Sequence, residues 1–243
     1  MIHEKFIIIE GIDGCGKGTV LNAIIDFLGK SKVKFLDLRE KEADLTGNLP
    51  KGIQAIITCE PTHHGAGKEL KEKILKNLSS YTAKQVAEKF AEDRNELYKK
   101  VIIPASEKGL LVIQDRSFIS SFVYQLNQAR ANNEKFSEKD LEVMNKKALD
   151  NPPGLVIVQK VKPDIAFERL SGRKDKQDGT DFEKINFLRQ NSAGYSAKWW
   201  RDLLESKGTE IIELDCNEEI GRVMQNAVNV IKGYCSKNNL LSV

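Results

Sequence analysis

The stretch FIIIEGIDGCGKGT, residues 6 to 19, decides the fold of this chain. Its apolar start is typical of a strand buried on both faces, and apolar residues at helical spacing follow from Val20 to Leu28. The glycines let several backbone N–H groups point inward, where the helix N-terminus adds partial positive charge and Lys17 adds a full charge. We therefore predict a phosphate-binding loop over residues 11–19. The residues expected to line it are Gly11, Gly14, Cys15, Gly16, Lys17, Gly18 and Thr19.

A glycine-rich loop between a buried strand and a helix is the context that a Walker A motif requires. The usual motif places a Ser or Thr hydroxyl for Mg²⁺ directly after the lysine, but this chain has Gly18 there. Either Thr19 supplies that hydroxyl, or the ion is held through water. Adenylate kinases are similar in having a Gly-Lys-Gly-Thr run. The alternative is a strand-to-helix turn that binds nothing.

Five short apolar runs predict buried strands, and segments of helical periodicity separate them. This order predicts an α/β protein with the P-loop NTPase fold: a five-stranded parallel sheet flanked by helices on both faces, in a single domain over residues 1–243. The predicted strands are Phe6–Ile9, Ile53–Ile57, Leu110–Ile113, Leu155–Val158 and Ile211–Leu214.

The connecting segments give further expectations. The first helix is expected to stop at Gly29, and the polar residues of about 39–51 predict an exposed insertion. A long helix is expected from Ala83 to Ile103, closed near Pro104. Residues 137–149 and 181–205 are also expected to be mainly helical.

Composition narrows the class of partner. The 243 residues carry 38 Lys and Arg against 35 Asp and Glu, a net charge of only +3, which disfavours nucleic acid or an anionic membrane as the partner. No signal peptide or membrane span is recognised. Four scattered cysteines show neither zinc-ligand spacing nor the density of a disulfide framework. The simplest interpretation is a protein of the reducing cytoplasm.

Phe90 and Arg94 lie one turn apart on the helix that starts at Ala83. A ring beside a guanidinium can stack on a base and hydrogen-bond its edge or its phosphate. The alternative is a core phenylalanine and a structural ion pair.

Asp115 and Arg116 follow a predicted buried strand, at the edge where open parallel sheets place ligands. The carboxylate is a candidate Mg²⁺ ligand. Arg116 is a candidate catalytic cation, because a positive charge offsets the repulsion between donor and acceptor phosphates. The alternative is a salt bridge at the strand end.

Several motifs, in this order, resemble those of thymidylate kinases, from the first strand to about Tyr195. They are Glu10 to Lys17, Thr58-Cys59-Glu60-Pro61-Thr62 with Gly67, Phe90-Ala91-Glu92-Asp93-Arg94, Asp115-Arg116-Ser117, Ser120-Ser121 and Tyr124-Gln125.

The resemblance implies an acceptor pocket for a nucleoside monophosphate. It implies that Asp13 holds the sugar hydroxyl, that Phe90 stacks on the thymine and that Arg94 holds the acceptor. Lys71 and Cys59 stand where many relatives carry Arg, and a lysine keeps the charge but loses the bidentate fork. The other residues implied in acceptor binding are Glu60, Pro61, Arg116, Ser120, Ser121, Tyr124 and Gln125.

The charged segment of about 169–183 resembles the lid that closes over ATP in such kinases, with Arg173 as the cation that reaches the phosphates. Without the resemblance, such a run is more often merely a solvated face. Closing a lid excludes water, so that the phosphoryl group goes to the acceptor.

These expectations together predict transfer of the γ-phosphoryl group of MgATP to dTMP, with Lys17, Arg116 and Arg173 as the catalytic cations. ATP and Mg²⁺ are the expected cofactors, and relatives are commonly homodimers. Three alternatives stay open at this point. They are the same chemistry on dUMP, UMP, CMP or a deoxynucleoside, a nucleotide-binding regulator that has lost catalysis, and a nucleic-acid-dependent ATPase.

Overall fold

Residues 3–39, 49–172 and 184–240 are described by the computed structural model. Within them, six parallel strands form one sheet in the order β2-β3-β4-β1-β5-β6. Three of the interior strands, β3, β4 and β5, are buried along nearly their whole length, as their continuous apolar sequences predict. The strands are β1 (His3–Gly11), β2 (Phe35–Asp37), β3 (Ala55–Cys59), β4 (Leu111–Asp115), β5 (Pro153–Lys160) and β6 (Glu210–Asp215).

The prediction of a parallel α/β sheet flanked by helices is confirmed, but the predicted number of five strands is wrong. The additional strand, β2, lies at the edge of the sheet and pairs only with β3, with Phe35 beside Ala55 and Asp37 beside Ile57. All three of its residues are half-buried. An edge strand this short does not need the uninterrupted apolar run by which the other strands were recognised.

Helices connect the strands, and α1 packs against α11 while α5 packs against both α3 and α9. Their bounds are α1 Lys17–Lys30, α2 Gly65–Glu69, α3 Ala83–Leu97, α4 Ile103–Glu107, α5 Phe118–Ala131, α6 Glu138–Met144, α7 Lys146–Asp150, α8 Pro163–Ser171, α9 Ile185–Tyr195, α10 Lys198–Glu205 and α11 Ile220–Lys237. Two π-helical turns, Leu70–Ile74 and Tyr98–Ile102, and a 3₁₀ helix, Leu75–Ser80, complete the list.

Two predicted helix ends are wrong. The first helix runs through Gly29 to Lys30, and the left-handed residue beyond it is Lys32, with φ of 58°. Pro104 does not close the long helix but lies in the first turn of α4. Proline is tolerated there, because backbone N–H groups in a first turn have no acceptor within their own helix. The π-helical turn before α4 absorbs the change of register.

The carboxyl ends of the central strands meet at one edge of the sheet. In the parallel register, Ile9 of β1 and Cys59 of β3 both lie beside Asp115 of β4, and Gly11 lies beside Gln159 of β5. This edge is where open parallel sheets bind their ligands. Among the described helices, none combines the length and the apolar composition needed to cross a bilayer.

Most of the predicted insertion, residues 40–48, and most of the predicted lid, residues 173–183 with Arg173, lie outside the described residues. Arg39, where the insertion was expected to begin, is half-buried rather than exposed. It makes a bidentate ion pair with Asp37 (2.6 Å), and its Nη1 donates to Asn22 of α1 at 3.4 Å. Arg39 therefore fastens the edge strand to the helix that follows the phosphate loop.

Candidate active site

The phosphate loop joins β1 to α1 through glycines in backbone conformations that other residues rarely adopt. Gly14 has φ of 78° and Gly16, the N-cap of α1, has φ of 97°. Lys17 is buried, and its Nζ donates to the carbonyl oxygens of Gly11 and Ile12, both at 2.9 Å. The ammonium is thus held inside the loop by the backbone of the loop itself.

The loop packs tightly on one side and is open on the other. A Cβ at Gly14 would lie 2.4 Å from the carbonyl oxygen of Ala166 in α8, which rules out a side chain there without movement of that helix. A Cβ at Gly16 or Gly18 would meet nothing within 4 Å. The open side is where a polyphosphate has room.

Cys15 contributes its backbone to the loop, because its side chain points into the protein. The thiol donates to Oε1 of Gln159 at 3.2 Å, and burial raises the pKa of Cys15 above its ordinary value. Cys15 is therefore a packing residue of the loop in its thiol form.

Asp13, Arg116 and Tyr124, three predicted site residues from three distant parts of the chain, converge beside the loop. Nη2 of Arg116 makes a short ion pair with Oδ1 of Asp13, and the Tyr124 hydroxyl donates to Oδ2 of the same carboxylate at 3.0 Å. Nη1 of Arg116 also reaches Ser120 Oγ and Tyr124 OH, each at 3.4 Å. The backbone of Arg116 is left-handed, with φ of 64°, a conformation that non-glycine residues tend to keep at functional sites.

Glu60 and Arg94 form a buried ion pair. Nε of Arg94 donates to both carboxylate oxygens, at 3.1 and 2.9 Å, and Nη2 donates to Oε2 at 2.6 Å. Nη2 also reaches Ser121 Oγ at 3.3 Å, and Nη1 makes a short hydrogen bond to Asn145 Oδ1. These contacts occupy four of the five N–H groups of the guanidinium, so Arg94 has at most one left for a ligand.

Gln114 links this buried pair to Arg116. Its Nε2 donates to Oε1 of Glu60 at 2.9 Å and to the carbonyl oxygen of Arg116 at 2.8 Å. Sequence reasoning missed both Gln114 and Asn145. A polar residue inside the otherwise apolar strand β4 was a usable signal for the glutamine, whereas no local pattern marked the asparagine.

Asp93 holds the predicted acceptor loop in place. Its carboxylate accepts from the backbone N–H of Thr62 at 2.8 Å and from the Thr62 hydroxyl at 2.5 Å. A Cβ at Gly67 would lie 2.5 Å from Oδ1 of Asp93 and 2.6 Å from the carbonyl oxygen of Thr62. Only glycine fits at that position. The Glu60–Pro61 peptide bond within this loop is cis.

The remaining predicted residues line the same region. Phe90 is half-buried on α3, one turn before Arg94, and Gln125 is buried on α5. Lys71 is half-buried in the first π-helical turn, near Cys59. Burial raises the pKa of Cys59 to about 11, although the charge of Lys71 opposes that shift.

Asp115 fits the role of a magnesium ligand. Its Oδ1 is buried and has no hydrogen-bond partner among the residues that the structure describes. A carboxylate oxygen is the donor that Mg²⁺ prefers, and Mg²⁺ typically takes one or two carboxylates together with waters and substrate phosphates. Thr19 is exposed in the first turn of α1. In the described part of the chain, no three His, Cys, Asp or Glu side chains cluster in a way that would hold a metal by themselves.

A buried strand that leads through this loop into α1, with Asp115 at the end of the neighbouring strand, defines the class of P-loop nucleotide-binding proteins. A family model described as "Thymidylate kinase" matches residues 48–227. The chain therefore belongs to the thymidylate kinase family, a family of nucleoside monophosphate kinases.

Individual relatives agree along most of the chain. A protein of Prochlorococcus marinus named thymidylate kinase is 30% identical over 89% of this chain and 95% of its own length. Proteins of the same name from Pseudoalteromonas translucida and Ligilactobacillus salivarius are 27% and 26% identical, each over 96% of this chain. These two alignments cover 98% and 100% of the lengths of the relatives, respectively.

Proposed function

We propose that this protein transfers the γ-phosphoryl group of ATP to thymidine monophosphate, giving dTDP and ADP. The observation that carries the proposal is the convergence of Asp13, Arg116 and Tyr124 beside the phosphate loop of a chain in the thymidylate kinase family. The carboxylate of Asp13 can accept a hydrogen bond from a sugar hydroxyl, and the guanidinium of Arg116 can bind a phosphate. The aromatic side chain of Tyr124 can pack against a ring of the nucleotide.

In this proposal the loop amides and Lys17 bind the donor phosphates. The lysine exchanges its bonds to the carbonyl oxygens of Gly11 and Ile12 for bonds to phosphate oxygens, which carry more negative charge. Asp115, with Thr19 as a second candidate, would hold Mg²⁺. That ion, when bound, neutralises charge on the transferring group.

Arg116 is the residue proposed to bind the acceptor phosphate. Its guanidinium lies between the acceptor pocket and the loop, so it can draw the acceptor phosphate toward the donor and offset their mutual repulsion. The Asp13 carboxylate then trades its contacts with Arg116 and Tyr124 for the sugar hydroxyl. Phosphoryl transfer in line needs no covalent enzyme intermediate.

The thymine is assigned to the region beside Phe90, where α3 faces α5. Phe90 supplies the stacking surface, while Ser121 and Gln125 lie on the facing helix. Arg94 has a mainly structural part: it fixes Glu60 and the acceptor loop, and its remaining N–H is available to the base. Pro61, Lys71 and Ser120 complete the proposed acceptor site.

The proposal extends to five features of the whole chain. Residues 1–243 act as a single kinase domain, and Arg173 in the segment of about 169–183 is the lid cation. The protein works in the cytoplasm, as a homodimer, on free nucleotides rather than nucleic acid.

The test is turnover with a panel of acceptors. Purified protein with MgATP is offered dTMP, dUMP, UMP, CMP and thymidine in turn, and ADP release is measured. We expect dTMP to give the highest kcat/KM. A strong preference for another acceptor would refute the thymidylate assignment. Binding of ATP and dTMP without ADP release would favour a regulator instead.

A further inference from the structure

Glu10 is a completely buried carboxylate directly before the phosphate loop. Its Oε1 accepts from the Ser117 hydroxyl at 2.8 Å and from the backbone N–H of Ser120 at 3.3 Å. Its Oε2 accepts from the hydroxyls of Ser120 and Tyr195, both at 2.8 Å. A single carboxylate thus joins β1, the first turn of α5 and the end of α9.

Hydrogen-bond donors surround the Glu10 carboxylate, an arrangement that suits its charged form. Burial nevertheless raises the pKa of Glu10 above its ordinary value, and the charge of Arg116 and the hydroxyl donors offset only part of that rise. Ser117 is the N-cap of α5, so the carboxylate also lies at the positive end of that helix. Donors from α5 with its N-cap and from α9 converge on this one carboxylate, which ties their side chains together.

Two short routes lead from Glu10 to the acceptor site. The Ser120 hydroxyl donates to Glu10 and accepts from Nη1 of Arg116 at 3.4 Å. The Tyr195 ring packs edge-on against Tyr124, with ring centroids 6.4 Å apart, and Tyr124 donates to Asp13. Both routes end on the pair formed by Arg116 and Asp13.

We propose that Glu10 is a positioning residue for phosphoryl transfer. It fixes the Ser120 hydroxyl and Tyr195, and through them it sets the orientation of Arg116 and Tyr124 before the acceptor binds. This inference rests on the proposed function, because the residues it positions are those assigned to dTMP.

The test is the isosteric variant Glu10→Gln, which keeps the shape of the side chain and removes its charge. We expect dTMP binding without ATP, measured by calorimetry, to weaken about tenfold, the effect of losing a hydrogen bond to a charged group. The kcat/KM for dTMP should fall at least as far, while KM for ATP changes by less than about threefold, since Lys17 does not contact Glu10.

Two tyrosine variants separate positioning from general stability. Tyr195→Phe removes one hydroxyl bond to Glu10, and we expect dTMP binding to weaken about threefold. Tyr234→Phe is the matched control, because the Tyr234 hydroxyl bonds the carbonyl oxygen of Glu4 at 2.9 Å, at the opposite end of β1. It should leave dTMP binding unchanged.

A folded Glu10→Gln protein that binds dTMP as tightly as the wild type would overturn the inference alone. If the Glu10→Gln variant does not fold, Ser120→Ala provides the test, because it removes the hydroxyl that links Glu10 to Arg116. Unchanged dTMP binding in Ser120→Ala would also overturn the inference. A wild-type protein that neither binds nor phosphorylates dTMP would instead overturn the proposed function, and the inference with it.

Discussion

Removing Arg94 should destabilise the protein strongly, because Glu60 would be left buried without its cation. Both side chains are only 2% exposed. In an Arg94→Met variant, the one described side-chain donor left to the Glu60 carboxylate is Gln114 Nε2, at 2.9 Å. Breaking a buried pair from one side costs about 3–5 kcal/mol. At about 2–4 °C per kcal/mol for a domain of this size, Tm should fall by about 6–20 °C.

The loss should grow with pH. Burial raises the pKa of Glu60 from 4.5 to about 7, with Arg94 opposing the shift, so the folded state binds the proton more tightly than the unfolded state. The contribution of Glu60 to stability therefore falls as pH rises from about 4.5 to about 7. Without Arg94 the pKa rises further and the window extends above 7. The deficit relative to the wild type should thus be larger at pH 8 than at pH 5.5.

Urea unfolding of the wild type and of Arg94→Met, at pH 5.5 and at pH 8, measures the loss of free energy of unfolding at each pH. Arg130→Met is the matched control, since Arg130 pairs with Glu138 at 3.8 Å while 66% exposed, and it should cost less than about 0.5 kcal/mol. A second charge removal, Glu60→Gln in the Arg94→Met background, should recover part of the loss at pH 8. The reasoning is refuted if Arg94→Met costs less than about 1 kcal/mol, or costs the same at both pH values.

Three further predictions test the loop, the acceptor segment and the metal site. Lys17→Met should lower kcat by about 100-fold or more, measured as ADP release with dTMP, and undiminished turnover would contradict its role. Gly67→Ala should lower the free energy of unfolding by about 1–3 kcal/mol, because the new Cβ meets Asp93, whereas Gly221→Ala, in open space on α11, should not destabilise the fold. Asp115→Asn should raise the Mg²⁺ concentration for half-maximal activity about tenfold, and an unchanged requirement would remove Asp115 from the metal site.

The features predicted correctly from sequence are those that a short segment determines by itself. The loop at 11–19 lies between a buried strand and a helix start and contains four glycines, all within about 20 residues, so its structure follows from local rules. The apolar runs around Ile7, Ile57 and Ile113 likewise mark strands buried on both faces. The parallel order of those strands follows from the helices between them.

The features that were missed depend on contacts between distant residues. Strand β2 is only three residues long, and its place in the sheet depends on the pairing of Phe35 with Ala55 of β3, 20 positions away. Arg94 meets Glu60 across 34 positions and Asn145 across 51, and no local spacing reveals such pairs. Glu10 was quoted within a motif, but its bond to Tyr195 spans 185 positions. Only the folded chain shows that this carboxylate holds two helices.

The contact between Gly14 and Ala166 limits how this site can evolve. A Cβ on Gly14 would lie 2.4 Å from the carbonyl oxygen of Ala166, so the loop and α8 leave no room for a side chain between them. Any replacement of Gly14 must be accompanied by a shift of the whole helix, and any change that tilts α8 toward the sheet presses on the loop. Mutations in the two segments, 152 positions apart, are therefore expected to compensate one another across natural variants.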